Sequence, residues 1–381
     1  MKSEGPGPRP ARRVSRWHLP MWWLNGLAVI ALLLAYLSTR VSPTTFWPLA
    51  LFGMAYPYLV VVNAGFVVWW LLFRRKRMLP SLLAILMGWS FLGQYVRLFP
   101  RHAQPAGVHA PFTLMSWNVR LFNLYNWMHN QETRDEILEL IRVEDPDILC
   151  MQEFLNVGPG NSLMVKDSLL SSFRFAYCAD AYTVHARMRH DMGIAIFSTW
   201  PIVAQDTIKF GTERDNICLW ADIAVGVDTI RVYTAHISSI RFGDEDYAFV
   251  RDLAHGTVQD SASVAGSRIL RRLKRAFIRR TDQVDRMIAH MKESPWPVVY
   301  CGDLNDTPMS YSFHELLRSG LADAFEESGQ GFGNTYIGDV PSFRIDHILH
   351  GPRFRSWNFR TLPDELSDHH PIITALGLKD R

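Results

Sequence analysis

Between Leu19 and Thr39 no side chain carries a charge, and the same holds from Phe46 to Phe73 and from Met78 to Val96. Crossing the hydrocarbon core of a bilayer takes about 20 apolar residues, so each stretch meets or approaches the length of a span. A cleaved signal peptide competes for the first stretch, but its bulky residues and the further stretches behind it argue against removal. Buried helices of a soluble protein compete for all three, and their length without charge argues against that. Trp22, Trp23, Trp47, Trp69 and Trp70 fall near the stretch ends, where indole rings favour the membrane interface. The sequence therefore predicts three transmembrane helices, at about 19–39, 46–73 and 78–97, in an N-terminal membrane domain of residues 1–110. Pro100, Pro105 and Pro111 mark a linker behind them.

Charge divides at the same place. Residues 1–110 hold 12 Lys and Arg and one acid, Glu4, while residues 111–381 hold 28 basic and 36 acidic side chains. A net charge of +3 thus joins an arm of +11 to a body of −8. Arg9, Arg12, Arg13 and Arg16 precede the first stretch, and Arg74, Arg75, Lys76 and Arg77 separate the second from the third. Only Arg40 lies between the first two. Basic loops stay in the cytoplasm, so the expectation is a multi-pass protein of the cell (inner) membrane with its C-terminal domain extracytoplasmic. Arg97 and Arg101 run against that pattern. The bilayer is the one macromolecular partner expected, with no protein partner.

Residues 111–381 read as one α/β domain. Phe112–Trp117, Ile148–Gln152, Ile194–Phe197, Ile230–Thr234, Pro297–Cys301 and Arg344–Leu349 are short, β-branched or aromatic, and bounded by turn formers. Helical periodicity covers Glu132–Val143 and Arg268–Met291, the latter with a stripe of Leu270, Leu273, Phe277, Val284, Met287 and Ile288. Alternating strands and helices imply a layered fold. Cys150 and Cys301 fall in predicted core strands, where buried free thiols are expected.

Polar side chains gather at the strand ends. Gly302-Asp303-Leu304-Asn305-Asp306 breaks a buried strand. A carboxylate and an amide two residues apart can take a proton from water and fix that water in place, although an ordinary Asx turn gives the same pattern. Ser367-Asp368-His369-His370-Pro371 offers a hydrogen-bond donor beside a cation ligand, or simply a polar loop. Asp346 interrupts an apolar strand and needs a partner to be buried there. Asn118, Glu153 and His236 end three further strands. Glu153 among amide oxygens suits Mg²⁺, which takes few protein carboxylates, whereas a histidine placed like His236 is more often structural.

The set resembles the endonuclease/exonuclease/phosphatase (DNase I-like) superfamily. It comprises Ser-Trp-Asn at 116–118, Gln-Glu at 152–153, Gly-Ile-Ala-Ile-Phe-Ser at 193–198, His236, Gly-Asp-Leu-Asn-Asp-Thr-Pro at 302–308, Arg-Ile-Asp-His at 344–347 and Ser-Asp-His-His-Pro at 367–371. The chain looks like a membrane-anchored, bacterial-type member, the likeness covering nearly all of 112–381. By resemblance the fold is a four-layer α-β-β-α sandwich. Glu153 looks like the main metal ligand, with Asn118 and Asp368 beside it, and Mg²⁺ or Mn²⁺ the cofactor. Asp303 resembles the group that activates water, and Asn305 the one that holds a phosphate oxygen. His369, oriented by Asp346, would donate to the phosphoryl group, and His236 would assist. The family's abasic-site branch carries a mid-domain tyrosine that has no clear counterpart here. Tyr182 lies near that region but reads as a packed aromatic.

The implied activity is metal-dependent hydrolysis of a phosphoester, most naturally a phosphodiester, on nucleic acid, a phospholipid or a phosphorylated small molecule. The alternative is a catalytically inactive, membrane-tethered binding module. A domain at −8 is ill suited to tight DNA binding, which rests on Lys and Arg. The basic run Arg268, Arg271, Arg272, Lys274, Arg275, Arg279 and Arg280 is either a solvated helix face or a cradle for a polyanion or anionic lipid.

Overall fold

The structure, a computed structural model, describes residues 18–126, 132–157, 165–186, 190–211, 216–240, 243, 245–246, 249, 262–338 and 342–380. Among the described residues, two helices are long and apolar enough to cross a membrane, α1 (His18–Ser38) and α4 (Tyr56–Phe73). Between them lie the short α2 (Pro43–Phe46) and α3 (Pro48–Met54). The third expected span is interrupted. It forms α5 (Leu79–Met87) and α6 (Trp89–Leu92), broken at Gly88, before the chain enters strand β1 (Val96–Arg97). Nine helical residues rise about 14 Å, roughly half a bilayer core. The break coincides with a close approach: a Cβ on Gly88 would lie 2.2 Å from the Tyr36 ring, and the Tyr36 hydroxyl donates to the Ala84 carbonyl at 2.9 Å. Arg9, Arg12, Arg13 and Arg16, on which the expected orientation partly rests, lie outside the described residues.

This helical segment holds a polar cluster inside and exposes apolar side chains outside. Val61 and Leu72 are 70% and 72% exposed, whereas Asn25, Asn63 and Ser81 are buried. The Asn25 amide donates to Ser81 Oγ (2.8 Å), Ser81 donates to Asn63 Oδ1 (2.9 Å), and Trp70 Nε1 donates to Asn25 Oδ1 (2.7 Å). These bonds tie α1, α4 and α5 together. An inverted distribution of this kind is how helices associate where the surroundings are themselves apolar.

The remainder is a four-layer α-β-β-α sandwich. One six-stranded sheet runs β10-β12-β9-β8-β7-β6, with β6 (Ile202–Lys209), β7 (Ile217–Val225), β8 (Asp228–His236), β9 (Val298–Asp303), β10 (Ala322–Asp323) and β12 (Asp346–His350). The other runs β13-β14-β2-β3-β5-β4, with β2 (Val108–Asn118), β3 (Ile148–Val157), β4 (Tyr177–Ala186), β5 (His190–Ser198), β13 (Phe354–Thr361) and β14 (Ile372–Lys379). β11 (Gly331–Phe332) pairs with β1. Side chains alternate across each strand. Leu114, Cys150, Val232 and Cys301 therefore fill the space between the sheets. Met115, Trp117, Leu149 and Met151 face the layer of α7 (Thr133–Glu144) and α8 (Val165–Ser172). Tyr233 and Tyr300 face α9 (Ala262–Lys292) and α10 (Tyr311–Arg318). Burial on both faces explains why the strands read as near-continuous apolar runs. The α9 stripe is covered from Leu273 onward, while Leu270 is 44% exposed. All four cysteines are free, and Cys150 and Cys301 are buried as expected.

The helical segment is fastened to the sandwich. β1 extends β11, and Arg318 donates to the Thr39 carbonyl at 2.9 Å. Arg344, 1% exposed, makes a two-pronged pair with Asp323 (2.7 and 2.6 Å) and donates to the Gln94 carbonyl at 3.0 Å. Removing one partner of a buried ion pair leaves the other charge unmatched at a cost of about 3–5 kcal/mol. Asp323→Ala is therefore expected to lower the unfolding midpoint sharply in thermal and chemical denaturation, with much of the loss recovered in Asp323→Ala/Arg344→Met. Equal stability of Asp323→Ala and wild type would count against the pair's role.

Candidate active site

Strand register assembles the site. In one sheet Asp303 is paired with His236 on one side and Asp346 on the other. In the facing sheet Asn118 is paired with Gln152, next to Glu153. His236, Asp303, Asp346 and Asn118 stand at strand ends and Gln152 and Glu153 midway along β3, so both sheets deliver side chains to one cleft. Gly302 permits the packing there: at φ 137° it lies so near β8 that a Cβ would come within 2.3 Å of the Ala235 carbonyl. A register shift in the β3–β5 pairing between Met151 and Phe154 coincides with φ 49° at Glu153. Such a bulge re-aims a side chain.

Asp303, fully buried, is the hub. Asn118 Nδ2 donates to Asp303 Oδ2 and to Glu153 Oε1, each at 3.2 Å. Asn305 donates its backbone N–H to Asp303 Oδ1 (2.7 Å) and its amide to Asp303 Oδ2 (3.0 Å) and the Ile237 carbonyl (3.1 Å). Asn305 does this from φ 50°, a conformation that non-glycine residues hold only when their surroundings impose it. His369 Nδ1 meets Asp346 Oδ2 at 2.8 Å, while its Nε2 stands 3.8 Å from Asp303 Oδ2. His236 Nε2 is 3.7 Å from both Glu153 Oε1 and Asp303 Oδ2. These last three separations exceed hydrogen-bond length, so the gap they bound has room for a ligand atom.

All eight residues singled out from the sequence thus meet around one cleft. Two of the amides differ in detail from the expectation. Asn118 Oδ1 accepts the Arg120 N–H at 3.1 Å, so its amide nitrogen bridges two carboxylates and its oxygen does not face the cleft. Asn305 has its amide engaged on Asp303 and Ile237 in place of a substrate oxygen. Asp368 Oδ2 pairs with Arg120 Nε at 3.3 Å. Tyr182 donates to Asp180 at 2.5 Å and packs under the outer face of its sheet, away from Asp303.

Arg120, two residues beyond the Ser-Trp-Asn motif, reaches Asp368 from an unusual backbone. Arg120, Leu121, Phe122 and Asn123 all have positive φ (42°, 54°, 52° and 59°). A left-handed conformation disfavours ordinary residues by about 1–2 kcal/mol each. The turn is held by burial of Phe122 against Phe154 (5.8 Å between centroids) and by the Asn123 amide donating to Thr133 Oγ1 (3.1 Å). Local sequence preference could not reveal it. Leu121 thereby joins Met192, Ile194 and Ile217 in walling a cavity of about 340 Å³ that ends on Glu153 and His236.

Residues 115–369 match the endonuclease/exonuclease/phosphatase family. The chain belongs to that family. Residues 18–95 match a family described as a domain of unknown function. Among solved endonuclease/exonuclease/phosphatase structures, one from Beutenbergia cavernae is 18% identical, with 71% of this chain and 72% of that one covered and a TM-score of 0.52. Another from Bacteroides thetaiotaomicron is 18% identical over 73% of this chain and 100% of that one, at 0.51. A third from Bacteroides vulgatus is 17% identical over 71% and 99%, also at 0.51. At such identity these share the fold. No curated protein matches the chain.

Family members use a divalent metal, and the donor set fits one. Glu153, Asp303, Asp346 and Asp368 converge on the cleft, with His369 and Arg120 the cations paired to them. That leaves two carboxylates in excess, the charge a hard divalent ion balances. Asp303, Asp346 and His369 also lie close enough to hold an ion among themselves, within 4.8 Å. There, however, His369 already supplies the positive charge: burial opposes its protonation, yet Asp346 and Asp303 raise it to about 10. Burial, with Asp346 adding to it and His369 opposing, raises Asp303 to about 6. Burial likewise raises Asp368.

These shifts have opposite consequences for the metal-free protein. His369 is raised above its ordinary 6.5, so its ion pair stabilises the fold fully below that pH and is lost as pH climbs through about 10. Asp303 is raised above 3.8, so the native state holds its proton longer and stability falls as pH rises from there through about 6. With chelator present, imidazole NMR is expected to place the His369 titration well above that of an exposed histidine, and Asp346→Asn to bring it down. An ordinary wild-type titration would contradict the assignment.

Proposed function

We propose that the chain is a membrane-anchored, divalent-metal-dependent phosphoester hydrolase that acts on a phosphodiester by in-line attack of water. One observation carries this reading: a buried carboxylate, an imidazole held by a second carboxylate, and further carboxylates in excess of the basic groups paired to them meet in one cleft of a family whose members cleave phosphoesters. Glu153 and Asp368 would hold the ion, Mg²⁺ or Mn²⁺, with Asn118 fixing Glu153 against Asp303. The ion supplies Lewis-acid neutralisation of phosphoryl charge.

The protein's own groups do the rest. Asp303 accepts the proton of the attacking water, and Asn305 sets the direction of that carboxylate through its two bonds to it. His369 presents Nε2–H to the phosphoryl oxygen as negative charge builds, and Asp346 keeps the ring charged and aimed. His236, across the gap from both carboxylates, meets the leaving group or a second phosphate oxygen. The apolar wall of Leu121, Met192, Ile194 and Ile217 receives the uncharged part of the substrate.

Residues 1–110 form the membrane domain in this proposal and residues 111–381 the catalytic one. α1 and α4 make two crossings, and the shorter α5–α6 pair carries the chain back a third time, from Arg77 beside His18 to Tyr95 at the Ser38 end. The apolar exterior and hydrogen-bonded interior of the bundle support embedding in lipid. Its charge supports the orientation. Arg77 donates to the His18 carbonyl at 3.1 Å and stacks over Trp22 and Trp70, at the start of α1. The sandwich attaches at the other end of that helix, around Ser38 and Thr39. With the basic end cytoplasmic, the cleft is extracytoplasmic.

Purified full-length protein is expected to hydrolyse bis-p-nitrophenyl phosphate with Mg²⁺ or Mn²⁺ and to stop on chelation. Asp303→Ala and His369→Ala should each lose about 10²–10³-fold or more in kcat. Absence of metal-dependent hydrolysis across plasmid DNA, sphingomyelin and phosphoinositides would instead favour a binding module. An alkaline phosphatase fused after residue 381 should be active outside the cytoplasm, and activity only of a cytoplasmic reporter would reverse the orientation.

A further inference from the structure

The segment that follows the catalytic strand does not end in solvent. Leu304 donates its backbone N–H to the Ile345 carbonyl at 2.9 Å, which pins one end. Six residues beyond Asp303, Met309 is fully buried among Leu32, Ala35, Tyr56, Ala84 and Tyr95, all from the helical segment. Its backbone is held as well. Tyr95 Oη accepts the Met309 N–H at 3.3 Å. The Met309 carbonyl lies 3.0 Å from Ser38 Oγ, whose proton it shares with the Ala35 carbonyl at 2.7 Å. Gly53 closes the socket so tightly that a Cβ would fall 2.5 Å from the Met309 oxygen and 2.4 Å from Ser38 Oγ.

Between the two pinned ends stands Asn305 at φ 50°. A lone non-glycine residue in that region is disfavoured by about 1–3 kcal/mol and persists only when its neighbours over-determine it. Both its bonds to Asp303 depend on its staying there, and the Met309 socket adds to the hold that Arg280 has on the intervening Asp306 at 3.3 Å. We propose that the helical segment is a positioning element of the catalytic centre: Ser38, Gly53 and Tyr95 grip Met309, hold Asn305 in its strained conformation, and so fix the carboxylate of Asp303. The catalytic part of this inference rests on Asp303 being the proton acceptor proposed above. The membrane anchor is then a structural part of the active site, beyond its use as a tether.

The test uses full-length protein in lipid nanodiscs. Gly53→Ala is expected to lower kcat on bis-p-nitrophenyl phosphate by about tenfold or more while KM stays within about twofold, as for a displaced catalytic group. Amide exchange across residues 304–310 should accelerate, with β3 and β14 unchanged. Tyr95→Phe, which removes the hydroxyl that meets the Met309 N–H and Thr307 within the same loop, should move both readouts in the same direction by less. Val61→Ala, on the outer face of α4, serves as the control with wild-type values. Wild-type kcat in both socket variants, or faster exchange at 304–310 with unchanged kcat, overturns the inference. Should Gly53→Ala fail to fold, Tyr95→Phe decides. Should wild type hydrolyse no phosphoester, the proposed function falls, while the exchange measurement still decides whether the socket holds the loop.

Discussion

A carboxylate with no exposure has to be surrounded by groups that make its charge tolerable, and Asp303 is such a carboxylate. Its neighbours come from four separate stretches of chain: Asn118 and Asn305, which donate to it, and His236 and His369, whose rings stand 3.7 and 3.8 Å away. Burying an ion unpaired is far more costly than any single contact around it can offset. The surrounding geometry is therefore coupled, since these neighbours are themselves fixed by something further out. Asp346 holds His369, Arg120 holds the oxygen of Asn118, and the Ile237 carbonyl holds the amide of Asn305. Two facing sheets with their strand ends aligned are a frame that can supply so many directions at once.

Much of this was legible in the sequence because strand ends are legible. An apolar run that stops at Asn118, Glu153, His236 or Asp303 announces both a strand and the place where its polar end emerges. The convergence of those ends is set by register, which depends on long-range pairing, so the ordered family motifs carried that part. Donor directions were not readable. Whether Asn118 turns its oxygen or its nitrogen to the cleft depends on the Arg120 N–H two residues away, in a left-handed turn that no local preference favours. The helical third misled in one respect. Residues 78–96 are apolar enough to span, but Gly88 breaks the helix where Tyr36 crosses it, and hydropathy is blind to a packing contact. Nor could periodicity show that Met309 leaves the sandwich to be buried among helices more than two hundred residues earlier.

The two parts of the chain use polar groups in opposite ways. In the sandwich, the cleft polar groups gather at one end of an otherwise largely apolar space between the sheets. In the helical segment, Asn25, Asn63, Ser81 and Trp70 form a closed hydrogen-bonded core while leucines and valines face outward. Arg344 stands where the two regimes meet, binding Asp323 of one and the Gln94 carbonyl of the other. A side chain that satisfies groups on both sides makes the junction rigid, in contrast to a flexible tether.

One pairing also governs when the cleft can exist. β2, which ends on Asn118, lies between β3 and β14, the final strand of the sandwich. The residues just before β14 complete the wall: Ser367 donates to the Asn118 carbonyl at 2.8 Å, and Trp117 donates to the His369 carbonyl at 2.8 Å. During synthesis, the helices and most of both sheets emerge before residue 367 leaves the ribosome. A growing chain therefore lacks one wall of the cleft however far its earlier parts have folded, until the stretch around Ser367 and His369 is made.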